Sequence, residues 1–179
     1  MSTQNDFPGD PVREETWSGT PIRLLIIDDE TSFLNAIAQR LQMRGFDVTT
    51  ASNGNTAIEI ARKHKFDLAL LDLKMPGMSG KQVLEVLKQE HKFIEVVILT
   101  GHGSLDSAVE CTKLGAFGYL PKPYELENLL DTLKDAFTAR MRKKFEYDHD
   151  RMEEILSLAT GESALGILRR LKEMDTPEK

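Results

Sequence analysis

The chain has 179 residues, 40% of them hydrophobic and 29% charged, with a formal net charge of −6. That length allows one domain with a full core plus a small appendage. The acidic balance argues against nucleic-acid binding by electrostatics alone, and a single cysteine, Cys111, excludes an intramolecular disulfide.

Residues 1–20 are polar and contain Pro8, Gly9, Pro11 and Gly19, and we expect a disordered leader there. The leader lacks the apolar stretch of a signal peptide, and no apolar run approaches the ~20 residues that span a bilayer. These features suggest a cytoplasmic protein that does not engage membranes. From Ile22 the pattern becomes alternating strands and helices. Ile22–Ile27 is an apolar run of strand length that stops at Asp28-Asp29. Thr31–Arg44 places Phe33, Leu34, Ile37, Ala38 and Leu41 at helical spacing, and Gly45 ends it. Phe46–Thr50 predicts a strand, Asn53–His64 a helix, and Asp67–Leu71 a third strand ending at Asp72. Ser79–Gln89 predicts a helix, Glu95–Leu99 a strand ending at Thr100, and Ser104–Leu114 a helix in which Cys111 is a small core residue. Ala116–Leu120 predicts a fifth, weaker strand, and a long helix starts at Glu125.

Five apolar strands, each followed by a helix, predict an α/β domain built on a doubly wound, five-stranded parallel sheet over residues 21–139. Such sheets bind ligands beyond the carboxyl ends of their strands. The residues there are Asp28, Asp29, Asp72, Thr100 and Lys122. Three neighbouring carboxylates repel one another unless a cation joins them, and an all-oxygen donor set suits Mg²⁺. No His/Cys cluster competes, because His64, His91, His102 and His149 are scattered and read as surface residues. A carboxylate beside Mg²⁺ can attack a phosphoryl group. The charge of that transition state calls for the metal, a cation and a hydroxyl, roles that Lys122 and Thr100 suit.

Four segments occur in order: Ile26-Ile27-Asp28-Asp29-Glu30, Asp72 to Gly80, Thr100-Gly101-His102-Gly103, and Tyr119-Leu120-Pro121-Lys122-Pro123. Together they resemble the receiver domains of two-component response regulators, which have a flavodoxin-like fold. The resemblance implies that Asp72 is the phosphoacceptor. It also implies that Asp29, Asp72 and the backbone carbonyl of Lys74 bind Mg²⁺, with Asp28 helping through water. Lys122 pairs with the phosphoryl group, and Thr100 and Tyr119 act as the switch pair on a face formed by the fourth helix, fifth strand and fifth helix. It further implies a cis Lys122–Pro123 bond, phosphorylation by a sensor histidine kinase or a histidine phosphotransfer protein, and no enzymatic activity beyond self-directed phosphoryl transfer and dephosphorylation. A dinucleotide-binding loop at Gly101-His102-Gly103 is the weaker reading, since Asp106 stands where a third glycine belongs. An aspartate-nucleophile phosphatase would resemble this pattern only with an acid at position 74, which is Lys74.

The C-terminal residues 140–179 hold nine basic and nine acidic residues, which argues against a DNA-binding tail. Phe137, Met141, Phe145, Asp148, Met152, Ile155 and Ala159 follow a near-heptad rhythm. That rhythm predicts one helix from Glu125 to Thr160, stopped by Gly161, and a second helix over Ser163–Met174. We expect the apolar stripe to be buried against the second short helix, a twin subunit or a partner, residues 137–174 to mediate a homodimer at least in part, and truncation after Arg140 to leave a folded, phosphorylatable monomer. The chain reads either as a stand-alone receiver or as the receiver region of a longer regulator or hybrid kinase.

Overall fold

The structure is a computed structural model that describes residues 20–101, 105–144, 153, 156–157 and 160–175. The leader, His102, His149 and most of the stripe beyond Lys144 lie outside the described residues. Strands β1 (Arg23–Ile27), β2 (Asp47–Ala51), β3 (Leu68–Leu71), β4 (Glu95–Thr100) and β5 (Gly118–Pro121) form one parallel sheet in the order β2-β1-β3-β4-β5. The connecting helices are α1 (Thr31–Gln42), α2 (Gly54–Lys63), α3 (Gly80–Glu90) and α4 (Leu105–Lys113), followed by α5 (Leu126–Lys144) and a last helix, α6 (Ala164–Asp175). The expected doubly wound sheet is therefore present, with β2 and β5 displaced by one or two residues from the sequence reading.

Alternation along the strands splits the core in two. Leu24, Ile26, Leu68, Leu70, Val97 and Leu99 face α1 and α5. Leu25, Ile27, Ala69, Leu71, Val96 and Ile98 face the other side, with Val83, Leu84, Leu87 of α3 and the buried Cys111. Continuous apolar strands arise because both faces are covered. Helix starts follow their capping residues. The Asn53 side chain accepts from the Thr56 N–H at 2.9 Å, and Ser79 and Gln82 form a reciprocal capping box. Gly45 has φ +87°, the left-handed turn that closes α1.

A single straight helix to Thr160 does not fit the described residues, in which α5 spans Leu126–Lys144. A helix continuing onward would hold Leu156 about 27 Å along its axis from Thr138. Instead Leu156 lines one cavity together with Thr138, Ala139, Arg142 and Ile167. The chain therefore turns back, and α6 packs along α5. Phe137, Met141, Leu168 and Leu171 are all 0% exposed and belong to the core beneath the sheet. Of the three coverings expected for the apolar stripe, the second short helix is the one found over these residues. The second short helix is present as expected, beginning after Gly161 at φ +92°.

Candidate functional site

Parallel register brings the strand ends to a common rim. Ile27 pairs with Ala51 on one side and Leu71 on the other, Leu71 with Ile98, and Thr100 with Pro121. Backbone bonds continue one residue past the strands. Asp28 N–H donates to the Ala51 carbonyl at 3.2 Å, Asp72 N–H to the Ile27 carbonyl at 2.9 Å, and Lys122 N–H to the Thr100 carbonyl at 3.0 Å. The residues that carry the chemistry are thus anchored by the sheet itself. Gly80 adds a further constraint. A Cβ there would meet the Asp72 carbonyl oxygen at 2.3 Å and the Leu73 Cα at 2.6 Å, so α3 presses against the loop that presents Asp72.

Asp28, Asp29 and Asp72 come together, each offering one carboxylate oxygen within 4.8 Å of the others. Asp28 is buried, Asp72 half-buried and Asp29 exposed. Asp28 accepts the Glu30 N–H at 2.9 Å and the Lys122 ammonium at 2.5 Å, and Asp72 accepts the Lys74 N–H at 3.2 Å. Thr100 is buried at the end of β4, and Tyr119 is half-buried against the core that holds Ile27 and Leu71. Burial, with the charges of Cys111 and Asp72, raises the Tyr119 phenol above its ordinary pKa. The Lys122–Pro123 bond is cis, as the resemblance implied.

The structure brings Asp28, Asp29, Asp72 and Lys122 together at this rim, with Thr100 ending the adjacent strand β4. Lys122 is paired with Asp28 and lies over the Phe33 ring, 3.9 Å from its centroid. Phe33 meets Tyr124 edge-on, with centroids 6.5 Å apart at 86°. Burial pushes the Tyr124 phenol up to about 12, with Arg40 opposing and Asp28 reinforcing, so it stays neutral. Sequence reasoning missed both aromatics. Phe33 sits at a core-facing helical position, and nothing in its spacing separates a ring on the rim from one in the interior. His64 is exposed and His91 half-buried, and neither joins the rim. The donor set fits Mg²⁺, since three hard oxygen donors carry more negative charge than one lysine offsets.

A parallel sheet of this order with an acidic trio and a lysine at its carboxyl rim defines a receiver-type α/β domain. The response regulator receiver domain profile matches residues 24–134, and the chain belongs to that family as a phosphoaccepting signalling domain. It is 38% identical over 119 residues to the transcriptional regulatory protein ZraR of Klebsiella oxytoca, spanning 66% of this chain and 27% of that protein. It is 34% identical over 113 residues to the DNA-binding transcriptional regulator NtrC of Salmonella typhimurium, spanning 63% and 24%. The CheY-like receiver domain of Methanospirillum hungatei JF-1 superposes with a TM-score of 0.67 at 29% identity, covering 69% of this chain and 99% of that one. The chain thus spans about a quarter of the length of the curated relatives it matches. Among the described residues, no helix is long and apolar enough to cross a membrane.

Proposed function

We propose that Asp72 is the phosphoacceptor of this receiver and that its phosphorylation switches a protein-interaction surface. One observation carries the reading: a half-buried carboxylate at the end of β3 lies within 4.8 Å of two others, with the Lys122 ammonium on the same rim. Mg²⁺ held by Asp28, Asp29, Asp72 and the Lys74 carbonyl would supply positive charge against the phosphoryl oxygens. An Asp72 oxygen attacks phosphorus, so a P–O bond forms as the P–N bond of a phosphohistidine breaks, and the departing imidazole regains a proton. Lys122 and the Thr100 hydroxyl then hold the transferred oxygens. Thr100 and Tyr119 report the change to the α4–β5–α5 face by favouring one of two packings. Water later cleaves the acyl phosphate, and no other reaction is assigned to the chain.

The phosphodonor is a sensor histidine kinase or a histidine phosphotransfer protein, and the working compartment is the cytoplasm. The alternative reading, a receiver region of a longer regulator or hybrid kinase, draws support from the partial coverage of the relatives. DNA binding belongs to the relative so named. For this chain the net charge of −6 favours protein partners over nucleic acid. Homodimerisation through residues 137–174 loses its main support, because α6 already covers Phe137 and Met141. The domains are then a leader over 1–20, the receiver over 21–139, and an extension over 140–179 that is fastened to the receiver.

Incubation with a small phosphodonor and Mg²⁺ should add one hydroxylamine-labile phosphoryl group, as an acyl phosphate is, measured by intact mass. Asp72→Ala should take none, and Lys122→Ala should be labelled far more slowly. Full labelling of Asp72→Ala would remove the assignment.

A further inference from the structure

Lys122 is the longest-reaching group on the rim, and a lysine stem has four rotatable bonds whose freedom must be restrained if its ammonium is to meet a phosphoryl group. Two contacts restrain it. The Asp28 carboxylate accepts from it at 2.5 Å, and the Phe33 ring lies beneath it with the ammonium 3.9 Å from the centroid. The ring is itself fixed. Phe33 is the third residue of α1, it packs against the core of the α1–α5 side, and Tyr124 meets it edge-on. Tyr124 follows Pro123 in the same loop as Lys122, so the loop that carries the ammonium also contacts the ring.

We propose that Phe33 is a positioning residue for phosphoryl transfer: its ring face is the floor along which the Lys122 ammonium turns from Asp28 toward a phosphoryl group on Asp72. The travel required of the ammonium is short. Oxygens of Asp28 and Asp72 lie within 4.8 Å of one another, whereas a cation is attracted to a ring face out to about 6 Å from its centroid. An aliphatic side chain at 33 fills the same space but offers no negative face. The ammonium then favours solvent or a fixed pair with Asp28 over the turning position. The inference rests on Asp72 being the phosphoacceptor.

The test compares the whole chain with Phe33→Leu, Phe33→Trp and Lys122→Met. In wild type the Lys122 ε-methylene protons should be displaced upfield in the NMR spectrum by the ring current, a signature lost in Phe33→Leu and kept in Phe33→Trp. Phosphorylation by a small phosphodonor with Mg²⁺ should slow about tenfold in Phe33→Leu at saturating donor and recover in Phe33→Trp. In the Lys122→Met background, Phe33→Leu should produce no further loss. An undisplaced Lys122 resonance in wild type overturns the inference. So does an unchanged or faster rate in Phe33→Leu, or an equal loss with Lys122 already replaced. A wild-type chain that takes no phosphoryl group despite a displaced Lys122 resonance overturns the Asp72 reading instead, and with it the catalytic part of this one.

Discussion

The two ends of the sheet carry the same kinds of residue in opposite balance. At the carboxyl end, Asp28, Asp29 and Asp72 face the single ammonium of Lys122. At the amino end, Asp67 and Asp175 face four cations. Asp67, fully buried, is bonded by Arg23 at 2.9 Å and by Arg140 and Lys172 at 3.0 Å. Asp175 is bonded by Arg140 and Lys172 at 3.2 Å and by Lys144. A cluster whose charges are matched inside the chain fixes structure. A cluster with surplus negative charge is stable only with something added, and that surplus is the physical mark of a site. The base network also explains why the extension folds back. Arg140, Lys144, Lys172 and Asp175 all belong to it, so α5 and α6 are joined to the foot of β1 and β3 by charge as well as by Leu168 and Leu171.

Breaking the base should have the largest effect. Truncation after Arg140 removes Lys144, Lys172 and Asp175 and uncovers Phe137. Burial of Leu168 and Leu171 alone contributes about 1.5–3 kcal/mol each. The folded monomer expected from the sequence should therefore be severely weakened, with urea denaturation showing a loss of about 3–6 kcal/mol. Asp67→Ala should act in the same direction without shortening the chain, because it leaves the buried Arg140 and Lys172 with Asp175 alone as their carboxylate, at a cost of about 3 kcal/mol. A truncated chain as stable as the full one would show that the network contributes little.

The rim should respond to what is added. A cation that binds only the folded arrangement stabilises by mass action, about 2.7 kcal/mol at 100 times its dissociation constant. Millimolar Mg²⁺ should therefore raise the melting temperature of wild type, and raise it less in Asp29→Asn. The Asp67→Ala chain, if it remains folded, should keep the full Mg²⁺ increment, since the two clusters lie at opposite ends of the strands. Loss of that increment in Asp67→Ala would mean that the two ends are coupled.

The rim was legible in the sequence because its residues end strands, and a parallel sheet must gather its carboxyl ends. Asp28, Asp29, Asp72, Thr100 and Lys122 could be collected by topology alone. The base was not legible. Asp67 reads as the ordinary start of a strand, and its partner Lys172 is 105 residues away. Nothing in local periodicity brings the two together. The apolar rhythm past Phe137 misled for a related reason. A stripe with period near 3.5 announces that it will be buried, but it does not say against what. Between Lys144 and Leu156 the sequence holds no Gly or Pro that would have marked an end to the helix.

Acid should separate the two ends at a slightly smaller magnitude. Burial by itself would raise the Asp67 pKa, but hydrogen bonds from the Arg23 side chain and backbone, with the charges of Lys172 and Arg140, pull it from 3.8 down to about 2. Asp175 is lowered as well, because Lys144, Arg140 and Lys172 outweigh its burial. A carboxylate whose folded pKa is depressed contributes stability that is fully present above its unfolded value and lost as the pH falls through its folded value. For Asp67 that window runs from about pH 4 to about pH 2, and a drop from 3.8 to about 2 corresponds to about 2.5 kcal/mol. Arg23→Met removes the side-chain hydrogen bonds, the largest contribution to this depression, while keeping the backbone one and leaving the rim untouched. It should lower stability at neutral pH, and it should also flatten the decline between pH 4 and 2, because the Asp67 pKa then lies nearer its unfolded value. Urea midpoints measured across that interval distinguish the cases. An equally steep decline in Arg23→Met would place the acid-sensitive carboxylates somewhere other than the foot of β1 and β3.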